Sequence, residues 1–274
     1  MASTSCTTPI AGKIALEEHV STPLFSASFT TPFENHTNEA SYGQPAYSAD
    51  VGARLSETDI AERGVFNTTL AVELAAAVND QMHHDYKQGN YSHRFEFFCN
   101  VALQDPDAAA AELTRCVTEL GGKGVMVNGY TNNGSVNNVV YLDHPTNAPF
   151  WRALAALGVP LYLHPCMPPP DQQRIYAGYD FLAGSPYGFS VEAGMSALRL
   201  MLSGLFDEHP SLRIILGRCG EALPFLLRRT DERMRHFEPS LWQAKENLRY
   251  YWQRNFYITA AGILDEGALW TRFG

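Results

Sequence analysis

Two apolar runs each end in a histidine: Lys13-Ile14-Ala15-Leu16-Glu17-Glu18-His19 and Val159-Pro160-Leu161-Tyr162-Leu163-His164. In a strand, side chains alternate between two faces, so Glu17 and His19 point the same way. Neutral imidazole nitrogens and a carboxylate oxygen form a ligand set suited to Zn²⁺ or a similar divalent ion. Each motif alone is weak, because a lone histidine after an apolar strand is more often a capping or solvated residue. Together they predict a metal site of Glu17, His19 and His164 at the carboxyl ends of parallel strands.

The chain between and after these runs alternates predicted strands with predicted helices. Strands that alternate with helices indicate right-handed crossovers and a parallel sheet, hence an α/β fold. The pattern leaves open whether the sheet closes into a barrel. A long loop is expected over residues 21–48. Helices are expected over 49–63, 69–86, 107–120, 148–157, 191–207 and 223–236, and strands over 95–103, 124–128, 160–164, 213–217 and 256–259.

Composition narrows the class of partner. The 274 residues are 45% hydrophobic and carry a net charge of −9 without a basic stretch, which favours small-molecule partners over nucleic acid or an anionic membrane surface. The first residues contain neither a basic segment nor an apolar one, so a cytoplasmic location is expected. Five scattered cysteines without a Cys-x-x-Cys pair make a disulfide framework unexpected.

Seven segments in order resemble a known family. Through them the chain is similar to the metal-dependent aromatic decarboxylases of the amidohydrolase superfamily: the dihydroxybenzoate and γ-resorcylate decarboxylases, grouped with aminocarboxymuconate semialdehyde decarboxylase. The segments are 13–19, 113–116, Gly124-Val125-Met126-Val127-Asn128-Gly129, Leu161-Tyr162-Leu163-His164-Pro165, 204–207, Ile215-Leu216-Gly217-Arg218-Cys219-Gly220-Glu221 and 255–259.

The resemblance implies a (β/α)₈ TIM-barrel-like fold with a divalent metal, Zn or Mn, at the carboxyl-terminal mouth. It places the metal ligands at Glu17, His19 and His164. The whole chain, 1–274, is then one amidohydrolase-like domain that is truncated at its carboxyl terminus relative to the family.

The resemblance also assigns residues around the metal. It implies that Glu221 supports the residue at position 218 and that Asn128 and Arg229 lie near the substrate. Arg229 occurs with Arg228 and other arginines in a helical segment, where a solvated basic face is the alternative.

Three departures from the family pattern bear on activity. Arg218 stands where the family has histidine in Gly-His-x-Gly-Glu, and a guanidinium stays protonated, so it cannot serve as a base near neutral pH. The family's second strand is not evident between Gly64 and Leu70. The sequence ends at Gly274, before an eighth strand that in the family carries an aspartate, both metal ligand and proton donor. The barrel is therefore expected to be incomplete, with exposed strand edges. Dimerisation across the gap, a shifted helix or an incomplete gene model would each account for this, and a homo-oligomer is expected.

The leading functional hypothesis is metal-dependent non-oxidative decarboxylation of a hydroxylated benzoic acid, with a small aromatic carboxylic acid as substrate. An alternative is a catalytically impaired homologue that retains binding or scaffolding, in which Arg218 pairs with Glu221 or with an aromatic acid. A further alternative is metal-dependent hydrolysis of a cyclic amide or ester, although Glu-x-His in place of His-x-His disfavours it.

Overall fold

A four-stranded parallel sheet forms the centre of the structure. The computed structural model describes residues 67–88, 92, 95–135, 138–237, 240 and 242–260. The hydrogen-bonded order is β1-β4-β5-β6, whereas β2 and β3 form a separate antiparallel hairpin. The strands are β1 (Val125–Asn128), β2 (Tyr130–Asn132), β3 (Val139–Tyr141), β4 (Leu161–His164), β5 (Ile214–Leu216) and β6 (Phe256–Ile258).

Helices follow most of the parallel strands, and two more helices precede β1. Short polar side chains cap the first turns of these two. Asn67 accepts a hydrogen bond from Leu70 at the start of the first helix, and Asp105 caps the second just before a proline. The helices are α1 (Thr68–Lys87), α2 (Pro106–Thr118), α3 (Ala148–Leu157), α4 (Gly188–Leu202), α5 (Leu205–Glu208), α6 (Arg218–Glu221), α7 (Leu223–Phe237) and α8 (Leu248–Asn255). No helix in the described ranges has both the length and the apolar character needed to cross a membrane.

The two faces of the parallel sheet differ in what they contact. One face carries fully buried aliphatic side chains that are register partners, such as Val125, Leu161 and Ile214, and these belong to the hydrophobic core shared with the helices. Alternation puts the intervening residues on the opposite face. There Asn128 of β1 and His164 of β4 are register partners at the carboxyl edge.

Most predicted elements are confirmed with small shifts of their ends. The helix predicted over 191–207 is instead two helices, α4 and α5, separated at Gly204, whose φ is +81°. The strand predicted over 95–103 is present only as a bridge between Cys99 and Val125. The β2–β3 hairpin and α8 were not predicted. The loop predicted over 21–48 and the helix over 49–63 lie outside the described residues.

One cysteine pair contradicts the expectation from spacing. Cys99 and Cys116 form a disulfide across a sequence separation of 17 residues, so the expectation against disulfides is wrong for this pair. The tertiary packing explains it, because α2 lies against the segment that bridges to β1 and both cysteines are fully buried. Cys166 and Cys219 are buried and are not part of this disulfide.

Candidate functional site

Asn128 and His164 stand side by side at the carboxyl edge of the sheet. They end β1 and β4, and these two strands pair in parallel, so the two residues are held one strand spacing apart. Asn128 is almost fully buried, and the Nδ1 atom of His164 is shielded from solvent. The sheet thus places an amide and an imidazole next to each other where two loops begin.

The segment after β5, labelled α6 above, is a short turn with a left-handed backbone and not a regular α-helix. The φ angles of Arg218, Cys219 and Glu221 are +47°, +53° and +55°, and that of Ala222 is +61°. A left-handed conformation costs a residue with a Cβ about 1–2 kcal/mol, so it persists only where the surroundings enforce it. Such strained backbone is concentrated at functional sites.

Contacts from the last described strand and helix hold this turn in place. The Cys219 N–H donates to the Thr259 carbonyl oxygen at 2.8 Å. At Gly220, φ is +85°, and a Cβ would lie 2.6 Å from Cη2 of Trp252, so the indole ring packs directly against the glycine backbone. The turn therefore requires both the left-handed freedom and the small volume of glycine at this position.

The turn brings Arg218 and Glu221 together. The distance from Nε of Arg218 to Oε1 of Glu221 is 3.6 Å, and the Glu221 side chain is fully buried. The ion pair predicted between these residues is confirmed. A buried carboxylate needs such a partner, since an isolated charge is costly to remove from water.

Glu192 is a second buried carboxyl group near the site, and the sequence analysis missed it. It lies on α4 and accepts hydrogen bonds from the Cys166 N–H at 3.1 Å and from the Ser196 hydroxyl at 2.9 Å. Burial, and to a smaller extent the nearby charge of Glu221, raise the pKa of Glu192, whereas hydrogen bonds from Cys166 and Ser196 lower it; the net pKa is about 7. The available signal was one acidic residue in a helical run otherwise rich in small and apolar residues.

The β2–β3 hairpin lies against α4, the helix that carries Glu192, and against the loop after β4. The guanidinium of Arg199, on α4, donates two hydrogen bonds to the carboxylate of Asp143, at 2.8 and 2.9 Å, and its Cζ lies 4.2 Å from the centre of the Tyr141 ring. The Tyr130 hydroxyl donates to the Met167 carbonyl oxygen at 2.8 Å. These contacts tie β2 and β3 to α4 and to the loop after β4.

The remaining predicted site residues are placed differently. Arg229 lies on α7 and is exposed. Glu17 and His19 lie outside the described residues, so their convergence with His164 stays a prediction.

Of the three predicted metal ligands, His164 is the one that lies within the described residues. Within the ranges that the structure covers, no three His, Cys, Asp or Glu side chains are grouped closely enough to hold an ion. His164 has the right chemistry and lies at the edge where metal ligands from neighbouring strands meet. It fits as one ligand, and the predicted set requires Glu17 and His19 to supply the others.

The family model for amidohydrolases matches residues 31–261. The chain belongs to the amidohydrolase family. The γ-resorcylate decarboxylase of Rhodococcus jostii (strain RHA1) is 37% identical to it over 276 residues, which cover 92% of this chain and 80% of that protein. The γ-resorcylate decarboxylase of Rhizobium sp. (strain MTP-10005) is 44% identical over 193 residues, or 70% of this chain and 58% of that protein. The aligned part is thus less than two thirds of the Rhizobium relative.

Solved structures agree with the sequence relatives. The 2,6-dihydroxybenzoate decarboxylase from Rhizobium superposes with a TM-score of 0.80 at 35% identity, covering 95% of this chain and 83% of that one. A dihydroxybenzoic acid decarboxylase from Polaromonas sp. JS666, with bound manganese and the inhibitor 2-nitroresorcinol, gives a TM-score of 0.79 at 36% identity and covers 95% and 81% of the two chains.

These findings confirm the resemblance to aromatic decarboxylases of the amidohydrolase superfamily. The close homologues and structural neighbours are carboxy-lyases, as expected. The neighbours imply a TIM-barrel-like α/β fold, of which the four parallel strands here are the described part. The expected divalent metal agrees with the manganese bound in the Polaromonas structure.

Proposed function

We propose that the chain catalyses the non-oxidative decarboxylation of a hydroxylated benzoic acid and uses a divalent metal held by Glu17, His19 and His164. The observation that supports this most directly is the register pair of Asn128 and His164 beside the strained turn of β5, in a chain whose relatives are aromatic-acid decarboxylases. A bound divalent ion would act as template and Lewis acid for the carboxylate and an ortho hydroxyl of the substrate.

The chain's own groups can bind and orient such a substrate. The amide of Asn128, beside His164, can donate a hydrogen bond to a carboxylate or phenolic oxygen. Arg218 carries a permanent positive charge, which favours an anionic substrate near Glu221. Arg229 is proposed as a further substrate contact, although it is exposed in the structure.

The reaction requires a proton at the ring carbon from which carbon dioxide leaves. The bond between that carbon and the carboxylate breaks, a carbon–hydrogen bond forms, and the ring regains its aromaticity. Arg218 cannot exchange this proton near neutral pH, because its guanidinium stays protonated. Within the Arg218–Glu221 pair, the carboxylate of Glu221 is the group that can take up a proton from water and then release it to the ring carbon.

The test is to incubate the Mn²⁺-loaded or Zn²⁺-loaded protein with 2,6-dihydroxybenzoate, 2,3-dihydroxybenzoate or orsellinate and to measure released carbon dioxide. Slow turnover is expected, since a positioned acid or base commonly contributes about 10²–10⁴ in rate and the family histidine is replaced. Arg218→His should raise the rate, whereas Arg228→His, at an exposed position on α7, should not. No carbon dioxide from either the wild type or Arg218→His, in folded and metal-loaded protein, would refute the proposal.

One observation favours a binding function as the second candidate. Arg218 replaces the expected histidine and pairs with a fully buried carboxylate, an arrangement that suits anion binding better than acid–base chemistry. Calorimetric titration with the same acids separates the two. Binding without carbon dioxide release in both wild type and Arg218→His would support the binding function.

We also infer self-association into a homo-oligomer. Large apolar side chains are exposed in the segment before and along the first part of α4, and clustered exposed apolar surface marks interaction sites. They are Ile175, Tyr179, Phe181, Leu182, Tyr187, Val191 and Met195. Light scattering of the purified chain should give a mass of at least two copies, and Tyr179→Asp should lower it. A monomeric wild type at micromolar concentration would contradict this.

A further inference from the structure

Glu192 connects the backbones that follow two neighbouring strands. Its Oε2 accepts a hydrogen bond from the N–H of Cys166, two residues after His164. Its Oε1 accepts from the hydroxyl of Ser196, one turn further along α4. The carboxyl group is thus fixed at both oxygen atoms while it contacts the loop that begins at His164.

The same carboxyl packs against the backbone after β1. A Cβ placed on Gly129, the residue after Asn128, would overlap both Oε1 of Glu192 and Oγ of Ser196. Only glycine therefore lets the chain after Asn128 approach the carboxyl this closely. The position of Glu192 explains why glycine is needed at 129.

Its surroundings leave the carboxyl little freedom to move. Glu192 is buried on α4, and Gly194 on the same helix lies so close to the turn after β5 that an added Cβ would be 3.2 Å from the Glu221 carbonyl oxygen. The helix therefore contacts the segments that follow three strands of the sheet, β1, β4 and β5.

We propose that Glu192 is a positioning residue that holds the loops after Asn128 and His164 at a fixed separation, and so orients His164 for its role at the metal. The role in orienting a metal ligand rests on the proposed function. The bridging role rests only on the contacts of the carboxyl. Removal of a residue that orients a metal ligand commonly weakens metal affinity about 10–100-fold.

The test compares Glu192→Gln with Glu192→Ala. Glutamine keeps an oxygen that can accept from the Cys166 N–H and an amide that can donate to Oγ of Ser196. Because burial raises the pKa of Glu192 to about 7, glutamine also resembles the protonated carboxyl present below that pH. Alanine removes both contacts. Glu232→Ala, at an exposed position on α7, is the matched control.

Two readouts separate the parts of the proposal. Amide hydrogen exchange of the peptide containing Cys166 reports the bridge without metal or substrate, and should be at least 10-fold faster in Glu192→Ala but near wild type in Glu192→Gln and Glu232→Ala. Mn²⁺ titration followed by electron paramagnetic resonance should show affinity weakened about 10–100-fold in Glu192→Ala and restored in Glu192→Gln.

Unchanged exchange at Cys166 in folded Glu192→Ala would overturn the bridging role, and so would a glutamine variant as impaired as alanine. Faster exchange with unchanged Mn²⁺ affinity would overturn the orientation of His164. Mn²⁺ binding that depends on Glu192, together with no carbon dioxide from either the wild type or Arg218→His, would refute the proposed function and leave this inference standing.

Discussion

Gly220 offers a direct test of the strained turn, through the substitution Gly220→Ala. Its φ is +85°, and an added Cβ would lie 2.6 and 2.9 Å from Cη2 and Cζ2 of Trp252 and 3.3 Å from Cγ2 of Ile258. The left-handed backbone costs about 1–2 kcal/mol once a Cβ is present. Overpacking against the indole adds about 1–3 kcal/mol. The free energy of unfolding should therefore fall by about 2–5 kcal/mol.

Gly178→Ala is the matched control for this substitution. Gly178 has the same φ of +85°, but nothing lies within 4 Å of an added Cβ. It should lose only the backbone contribution of about 1–2 kcal/mol. Urea denaturation followed by circular dichroism measures both variants against the wild type. Trp252→Phe, which lacks Cη2 and Cζ2, should recover part of the extra loss when combined with Gly220→Ala.

Equal losses in the two glycine variants would refute the packing argument, because they would leave nothing to assign to Trp252. A further consequence concerns activity. Displacement of the turn moves the Arg218–Glu221 pair, so Gly220→Ala should also lower any decarboxylation, whereas Gly178→Ala should not. This comparison links the strain to the site and not to stability alone.

Three further predictions concern stability. The pKa of Glu192 is about 7 in the folded chain against an ordinary 4.5, so the stability contributed by its protonated carboxyl is complete below pH 4.5 and is lost as the pH rises through 7. Between pH 4.5 and 8, the free energy of unfolding of Glu192→Gln should therefore gain about 3 kcal/mol relative to that of the wild type. An equal offset between the urea midpoints of the two proteins at both pH values would contradict this. Cys116→Ala opens the disulfide to Cys99 and should cost about 3 kcal/mol, as measured by the same denaturation; an unchanged midpoint would argue against the bond. Tyr251→Phe removes the hydroxyl that donates to Asp207 at 2.7 Å and should cost about 1–3 kcal/mol, and a loss well below 1 kcal/mol would show that the bond contributes little.

Features that depend on local sequence were predicted well. The strand ending at His164 and the helix over 148–157 follow from short-range apolar patterns, and both have the expected bounds to within one residue. The Arg218–Glu221 ion pair was also predictable, since its members are three residues apart in one turn. Such features depend on neighbours in sequence, so the sequence carries their signal.

Features that depend on contacts between distant segments were not predicted. The packing of α2 brings Cys99 and Cys116 together, and no cysteine motif in the sequence predicts this pair. The left-handed turn after β5 includes three residues with a Cβ before Ala222, so its backbone could not be inferred from glycine alone. The hairpin after β1 is short and is held to α4 by the side chain of Arg199.

Sequence alone determined the alternation of strands and helices and the family resemblance, through which Asn128 was expected near the substrate and His164 at the metal. The tertiary structure alone decided that Glu192 lies between the loops after these two residues. The physical reason is that the spacing of apolar residues along the sequence indicates which face of a helix is buried. The partner of a buried polar atom depends instead on the packing of segments far apart in the chain.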